Sequence, residues 1–363
     1  AQINNRLAQV ALENHSHIEA LKYSRRALIQ LGSNLGSRGN DSLFISAALE
    51  LSNLAVSLGK YLNEMPQILE KAKGISNRLG DKRSTALLEL HMGRVYFFSN
   101  NLSKALEFFA LGEMAVKNLG DDDILEQASQ FLALYHHTKG NFGKAMEYFE
   151  LALIRLGSQK VNALADPSSV IYMGLTSAYL GQFQRAIGLL DFNWRLTKGH
   201  SPVSPIIRAI LGTVLVVSGN RENGSFHLQM AHKEALSDRN FLGEYFAVGG
   251  LAYYHLIENR PNESRDMLTQ LQARAIKHGM LGRFWSPWTL EMLFELEKLG
   301  YTPIPGYEFE NLMSVIMDTP NAHLRGLALR LNAEKKLHQG ISMDSIEKDL
   351  LASETLLKST GDL

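Results

Sequence analysis

Histidines and carboxylates are the side chains most able to do chemistry, and in this chain they fall in short runs. "ENHSHIEA" carries His15 and His17, "YHHTKG" carries the adjacent His136 and His137, and "DDDILEQ" opens with Asp121, Asp122 and Asp123. A convincing helical metal site pairs two histidines four residues apart with a carboxylate. Neither histidine pair has that spacing, so both read as core or surface residues. The aspartate run stands where a helix begins and reads as capping, because negative charge is favoured at the positive end of the helix dipole. "GNFGKAM" holds a glycine and a lysine but lacks the G-x4-G-K-[ST] spacing and follows a helix, so it is no phosphate loop. There is no G-x-S-x-G, no HExxH, and no paired carboxylate that the pattern described below leaves unexplained. The expectation is no catalytic residue, no metal and no cofactor: this is not an enzyme.

The bulk composition narrows the class further. Hydrophobic residues make up 45% and charged residues 20% of 363, which suits a folded protein and argues against wholesale disorder. Lys plus Arg equals Asp plus Glu at 37 each, so no net field draws in a phosphate backbone, and nucleic acid is not an expected partner. The absence of cysteine removes disulfides, thiolate metal sites and a cysteine nucleophile, and it fits a reducing, cytoplasmic setting. No apolar run approaches the roughly 20 residues needed to span a bilayer, so no membrane partner is expected. The start "AQINNRLAQVALEN" lacks a signal-peptide layout. The missing initiator Met and the abrupt "STGDL" suggest a piece of a longer protein.

What organises the chain is a spacing. In "KGNFGKAMEYFELALIRLG", Ala145, Phe149 and Ala152 lie four and three residues apart, on one stripe of a helix. The same triplet recurs from Ala20, Met65, Ala105, Ala186, Gly224, Ser264, Pro305 and Ile346, in steps of about 40 after the first. A second mark precedes it: a packing position nine residues upstream and a small residue three before that, as with Gly93 and Tyr96 ahead of Ala105. Ala133 and His136, Gly174 and Ser177, Gly212 and Leu215, and Ala252 and His255 repeat it. A small residue lets two helices approach closely while the large one fills the space beside it. Glycines at 32, 80, 120, 157, 199, 279 and 361 punctuate the second helices, and Asp81 and Asp121 can cap the next. Nine helical hairpins follow, at about 1–32, 41–80, 82–120, 122–157, 167–199, 203–238, 241–279, 284–318 and 320–361.

Small residue, aromatic, then alanine at 93, 96 and 105, followed by Phe109, resembles the tetratricopeptide repeat (TPR), and "GNFGKAMEYFELAL" resembles its second helix. That family's unit is usually about 34 residues, so the longer step implies longer helices. The resemblance implies an all-α, right-handed superhelix, or solenoid, over 1–363 as a single repeat domain. A finer resemblance is to the helical-repeat region of bacterial STAND-type signal-transduction ATPases and transcriptional regulators. Peptide-pheromone receptors of Gram-positive bacteria and polarity scaffolds with repeats of similar length are further relatives. The function implied is a protein- or peptide-binding regulatory module. A small-molecule inducer sensor and a passive scaffold are its rivals.

In such arrays the first helices line a concave groove. Carried over by position, this puts Leu90, Arg94 and Phe97 there from the third hairpin and Gln127, Gln130 and His137 from the fourth. Ile171 and Leu175 come from the fifth, and Phe246, Tyr253 and Leu256 from the seventh. Packing between hairpins is the plain alternative for each. "LGRFWSPWTLEML" adds Trp285 and Trp288 as candidate anchors, although aromatics at a helix entry also staple hairpins together. The lining is mixed and rather apolar, suiting a peptide, an amphipathic helix or a small ligand better than an acidic tail. "GYTPIPGYEFE" reads as a stiffened turn inside the eighth hairpin or a local protrusion.

Overall fold

The computed structural model describes residues 2–13, 16–158, 167–198, 201, 203–277 and 287–361. Among them every regular element is an α-helix, and the helices come in nine consecutive pairs. These are α1 (Gln2–Glu13) with α2 (His17–Gly32), α3 (Arg38–Leu58) with α4 (Met65–Leu79), and α5 (Lys82–Phe98) with α6 (Leu102–Leu119). Then come α7 (Asp122–Thr138) with α8 (Phe142–Ser158), α9 (Pro167–Tyr179) with α10 (Phe183–Thr197), and α11 (Ser204–Val217) with α12 (Arg221–Ser237). The last are α13 (Phe241–Ile257) with α14 (Pro261–Lys277), α15 (Pro287–Lys298) with α16 (Phe309–Met317), and α17 (Ala322–His338) with α18 (Met343–Thr360). The helical-hairpin array expected from the period is therefore what the chain forms.

Contacts gather the chain into two units, one of residues 1–135 and 148–163, the other of 136–147 and 164–363. In the first, Phe44, Leu51, Met65 and Leu69 centre a core that runs from α1 to α5. The small residues explain how the hairpins close. A Cβ on Gly93 would stand 2.6 Å from the Phe109 ring, and one on Gly112 would stand 2.5 Å from Leu90, so the two helices of the third hairpin interlock through glycine. In the second unit the device is repeated: Gly174 lies under Leu190, and Gly212 and Gly224 face each other with each added Cβ under 3 Å from the other's carbonyl oxygen. The stripe residues of the first seven hairpins are buried accordingly, for example Ala20, Leu69, Phe109, Leu190, Leu228 and Leu268.

Three sequence expectations need correction. Gly80, Gly120 and Gly361 adopt the left-handed conformation that ends a helix, whereas Gly32 and Gly157 mark the ends of α2 and α8 as their last and next-to-last helical residues. Gly199 and Gly279 lie outside the described residues. The more regular punctuation sits between the helices of a hairpin. Asn100, Gly140, Gly181, Gly219, Asn259, Gly300 and Gly340 all have positive φ, which only glycine and asparagine enter cheaply. At Asn100 the backbone completes the paired helix-ending bonds, Asn101 N–H to Tyr96 and Asn100 N–H to Phe97. The stripe also fails at its end. Pro305 is exposed because α16 starts only at Phe309, and Leu350 is exposed because its side of α18 meets no further helix among the described residues.

The capping expectations hold. Asp81 accepts from Ser84 N–H at 3.0 Å, and Asp121 accepts from Asp123 and Ile124 N–H at 3.0 and 3.4 Å. The proline-punctuated stretch does not protrude: Ile304 and Tyr307 are buried in the core of the second unit, and Glu297 accepts the Phe309 N–H at 2.8 Å, capping α16 from the end of α15.

Within the second unit, the start of α17 returns to the α7–α8 turn. Ala322 N–H donates to the Lys139 carbonyl at 3.0 Å, and Asn321 donates to the Thr138 carbonyl at 3.3 Å. Gly140 is needed there twice over, for its φ of 72° and because a Cβ would come within 2.5 Å of the Asn321 side chain and 2.8 Å of the His323 nitrogen.

Candidate functional site

The second unit contains an open cleft lined mainly by first helices of successive hairpins, about 520 Å³ with the open solvent at its mouth included. Leu175 and Tyr179 come from α9, Ile210 and Thr213 from α11, and Trp288, Thr289 and Met292 from α15. The long central wall is α13, through Tyr245, Phe246, Gly249, Gly250 and Tyr253, with Leu271 of α14 behind it. Side chains three, four and seven apart on α13 share a face, which is how one helix supplies so much of the wall.

Among the described residues no charged side chain lines this cleft. Burial pushes the phenols of Tyr179 and Tyr245 well above the usual tyrosine range, helped by Tyr172 for the first and Tyr307 for the second, so both stay neutral. At one end the rings continue into a connected network. Trp288 lies 5.2 Å from Tyr179, which lies 5.2 Å from Phe142 and 5.9 Å from His323, centroid to centroid. His137 sits 5.1 Å from Tyr172 and shares a 2.7 Å hydrogen bond with Thr176. The Thr176 hydroxyl donates to the Tyr172 carbonyl at 2.6 Å, so it accepts from His137, whose Nδ1 carries the proton. Withdrawal from water, and then the neighbouring His323, hold that imidazole down to about 3. His137 is thus a neutral donor within the ring network, with no carboxylate partner among the described residues.

Two adjacent glycines on α13 have opposite explanations. Gly250 is forced by packing: a Cβ there would meet Leu228 and the Thr213 hydroxyl at 2.4 Å each. Gly249 is not, because its Cβ would meet only Leu271 at 3.9 Å, and its backbone is ordinary helix. Glycine in the middle of a helix costs about 1 kcal/mol relative to alanine. Nothing inside the fold offsets that cost at Gly249, and the space its missing side chain leaves belongs to the cleft.

The residues expected in the groove divide between the units. Leu175, Phe246, Tyr253 and Trp288 line the cleft. Ile171 is buried beside Leu175 in the α9–α11 core, Leu256 packs partly buried on the core of α13–α17, and His137 belongs to the ring network. In the first unit, Leu90 is fully buried against Gly112, and Phe97 meets Phe98 edge-on at 5.2 Å. Arg94 is 4% exposed, donates to Asn53 of α3 at 3.1 Å and lies 5.7 Å over the Phe131 ring. Gln127 and Gln130 are half-buried on α7. Trp285 lies outside the described residues. Sequence reasoning missed Tyr179, Ile210, Thr213, Tyr245, Gly249 and Met292. The signal for one of them was present, since the position after the small residue gives Arg94, Leu175 and Tyr253, and applied to Gly212 it gives Thr213.

Such a cleft can exclude water and hold uncharged apolar groups. It contains no nucleophile–base pair, and among the described residues no three His, Asp or Glu side chains gather as a ligand set. No described helix is long and apolar enough to cross a membrane.

The fold so defined is that of the TPR-like helical-repeat proteins, and solved structures bear this out. The apo form of the quorum sensor NprR from B. thuringiensis superimposes with a TM-score of 0.57 at 11% identity, over 99% of this chain and 98% of that one. The apo form of RapI gives 0.51 at 12% identity, over 100% and 99%. No family model and no curated protein matches the sequence.

Proposed function

We propose that this chain is a binding and regulatory module that captures a peptide or a segment of a partner protein along the first helices, with the α9–α15 cleft as its principal anchor. The carrying observation is the cleft itself: four consecutive first helices contribute rings and aliphatic groups to one uncharged concavity. NprR is a quorum sensor, and sharing its fold supports the sensing half of this reading. We assign the nine hairpins to one repeat domain, a reading supported by the consecutive pairing of the described helices from α1 to α18. The setting we assign is the cytoplasmic, non-enzymatic sensor region of a larger bacterial signalling or transcription-regulating protein, of the STAND-type ATPase or pheromone-receptor kind.

Binding to the folded state raises the melting temperature by mass action. Thermal melts of the wild-type chain and a Tyr253→Ala variant, run against pooled short peptides and pooled metabolites, test the proposal. Stabilisation by peptides that Tyr253→Ala reduces is the expected result. A response to metabolites alone would make the chain an inducer sensor, and no response from either pool would leave a scaffold.

A further inference from the structure

We infer that the cleft seats one uncharged aromatic side chain of the bound peptide directly over the backbone of Gly249, and that Gly249 sets which side chains fit. This rests on the peptide-capture reading above and makes it specific.

Three observations converge. The first is the contrast within the Gly249–Gly250 pair. Gly250 is required by Leu228 and Thr213, whereas the space beside Gly249 is open to within 3.9 Å of Leu271, so the glycine clears room in the cleft and not in the core. The second is the wall around that spot. Phe246 and Tyr253 stand three before and four after Gly249 on α13, on the same side of the helix, and Trp288 and Tyr179, packed on each other at 5.2 Å, close one end of the cleft. Ring walls favour a ring guest, which can take edge-to-face or offset positions that an aliphatic side chain cannot. A bare helix backbone lets a flat group lie closer than any side-chain-bearing position would. The third is charge. With no acid or base in the described lining and two tyrosines held neutral by burial, a charged side chain entering here would lose water, and the nearest carboxylate, Glu291 beside Tyr253, is already paired with Arg330 at 2.8 Å.

The test is a positional-scanning library of N-acetylated hexapeptide amides bound to the full chain, to Gly249→Ala and to Gly249→Leu. The melting temperature of each variant is recorded as the check on folding. Phe, Tyr or Trp should be selected at one position and charged residues rejected there. Gly249→Leu should weaken the selected peptides at least tenfold, although both variants melt at or above the wild-type temperature. If binders emerge with no aromatic preference, or if Gly249→Leu leaves their affinity unchanged, the Gly249 assignment is wrong while the groove reading stands. If no peptide binds the wild-type chain, both fail. Should Gly249→Leu melt lower than wild type, the glycine serves packing after all, and the inference is likewise overturned.

Discussion

The two units use one construction for their hairpins and different chemistry on their first helices. In the first unit the face includes a buried guanidinium, Arg94, tied to Asn53, with half-buried Gln127 and Gln130 on the next first helix, α7. On α3, burial raises the carboxyl of Glu50. In the second unit the corresponding helices also bury charge, at Arg208 on α11 and Glu244 on α13, but the described cleft lining leaves it out and presents Tyr179, Phe246, Tyr253 and Trp288. The comparison teaches that the repeat constrains only the residues where helices touch. The groove positions are free to vary from one hairpin to the next, and recognition chemistry can be written there without disturbing the frame.

If the frame is shared, the same triplet position should matter equally in both units. Phe109 and Leu228 are each 0% exposed at the centre of their hairpins. Phe109→Ala should cost about 3–5 kcal/mol and Leu228→Ala about 2–5 kcal/mol, measured by urea unfolding. A large disparity would break the shared-frame half of the comparison. Next in size is Gly250→Ala, whose new methyl would meet two side chains at 2.4 Å and should cost about 3 kcal/mol by overpacking.

Each unit also holds a histidine that burial keeps strongly neutral. His91 in the first is held down to about 3 by burial and then by Arg94, and His137 in the second to about 3 by burial and then by His323. The unfolded chain binds a proton on each below about 6.5 and the folded chain does not, so stability falls as pH drops through the window from about 6.5 toward 3. At pH 5 the loss should be about 2 kcal/mol per histidine relative to pH 7.5, and His91→Gln and His137→Gln should each flatten the profile. A profile that stays steep in both variants would place the acid sensitivity elsewhere. The smallest effect has the opposite sign. Gly249→Ala should stabilise by about 1 kcal/mol in a melt, which sharpens the contrast with its neighbour Gly250.

Much of the frame was legible before any coordinates. Gly93 and Phe109, or Gly174 and Leu190, are sixteen residues apart within a single hairpin, and their size relation is a local matter of two helices and one turn. The same reasoning found the Asp81 and Asp121 caps. It erred where local rules compete. Gly32 and Gly157 do mark helix ends but lie within the last turn rather than just past it, and Pro305 follows the period but falls ahead of the helix it was expected to join. Of the residues expected in the groove, Leu175, Phe246 and Tyr253, assigned by position, and Trp288, assigned as an aromatic anchor, line the cleft, whereas Leu90 was assigned by position and is core. A one-residue offset on a helix turns a side chain by about 100°, enough to move it from groove to interior.

The amino-acid order alone determined the helix class, the hairpin count and the glycine-on-large-residue locks, because each depends on neighbours within about twenty positions. Only the tertiary structure decided that Tyr179, Thr213, Gly249 and Met292 share one cleft and that Gly140 fits against Asn321 and His323. Those groups lie from about 35 to more than 180 positions apart, and what brings them together is the accumulated packing of hairpin on hairpin, which no single repeat encodes.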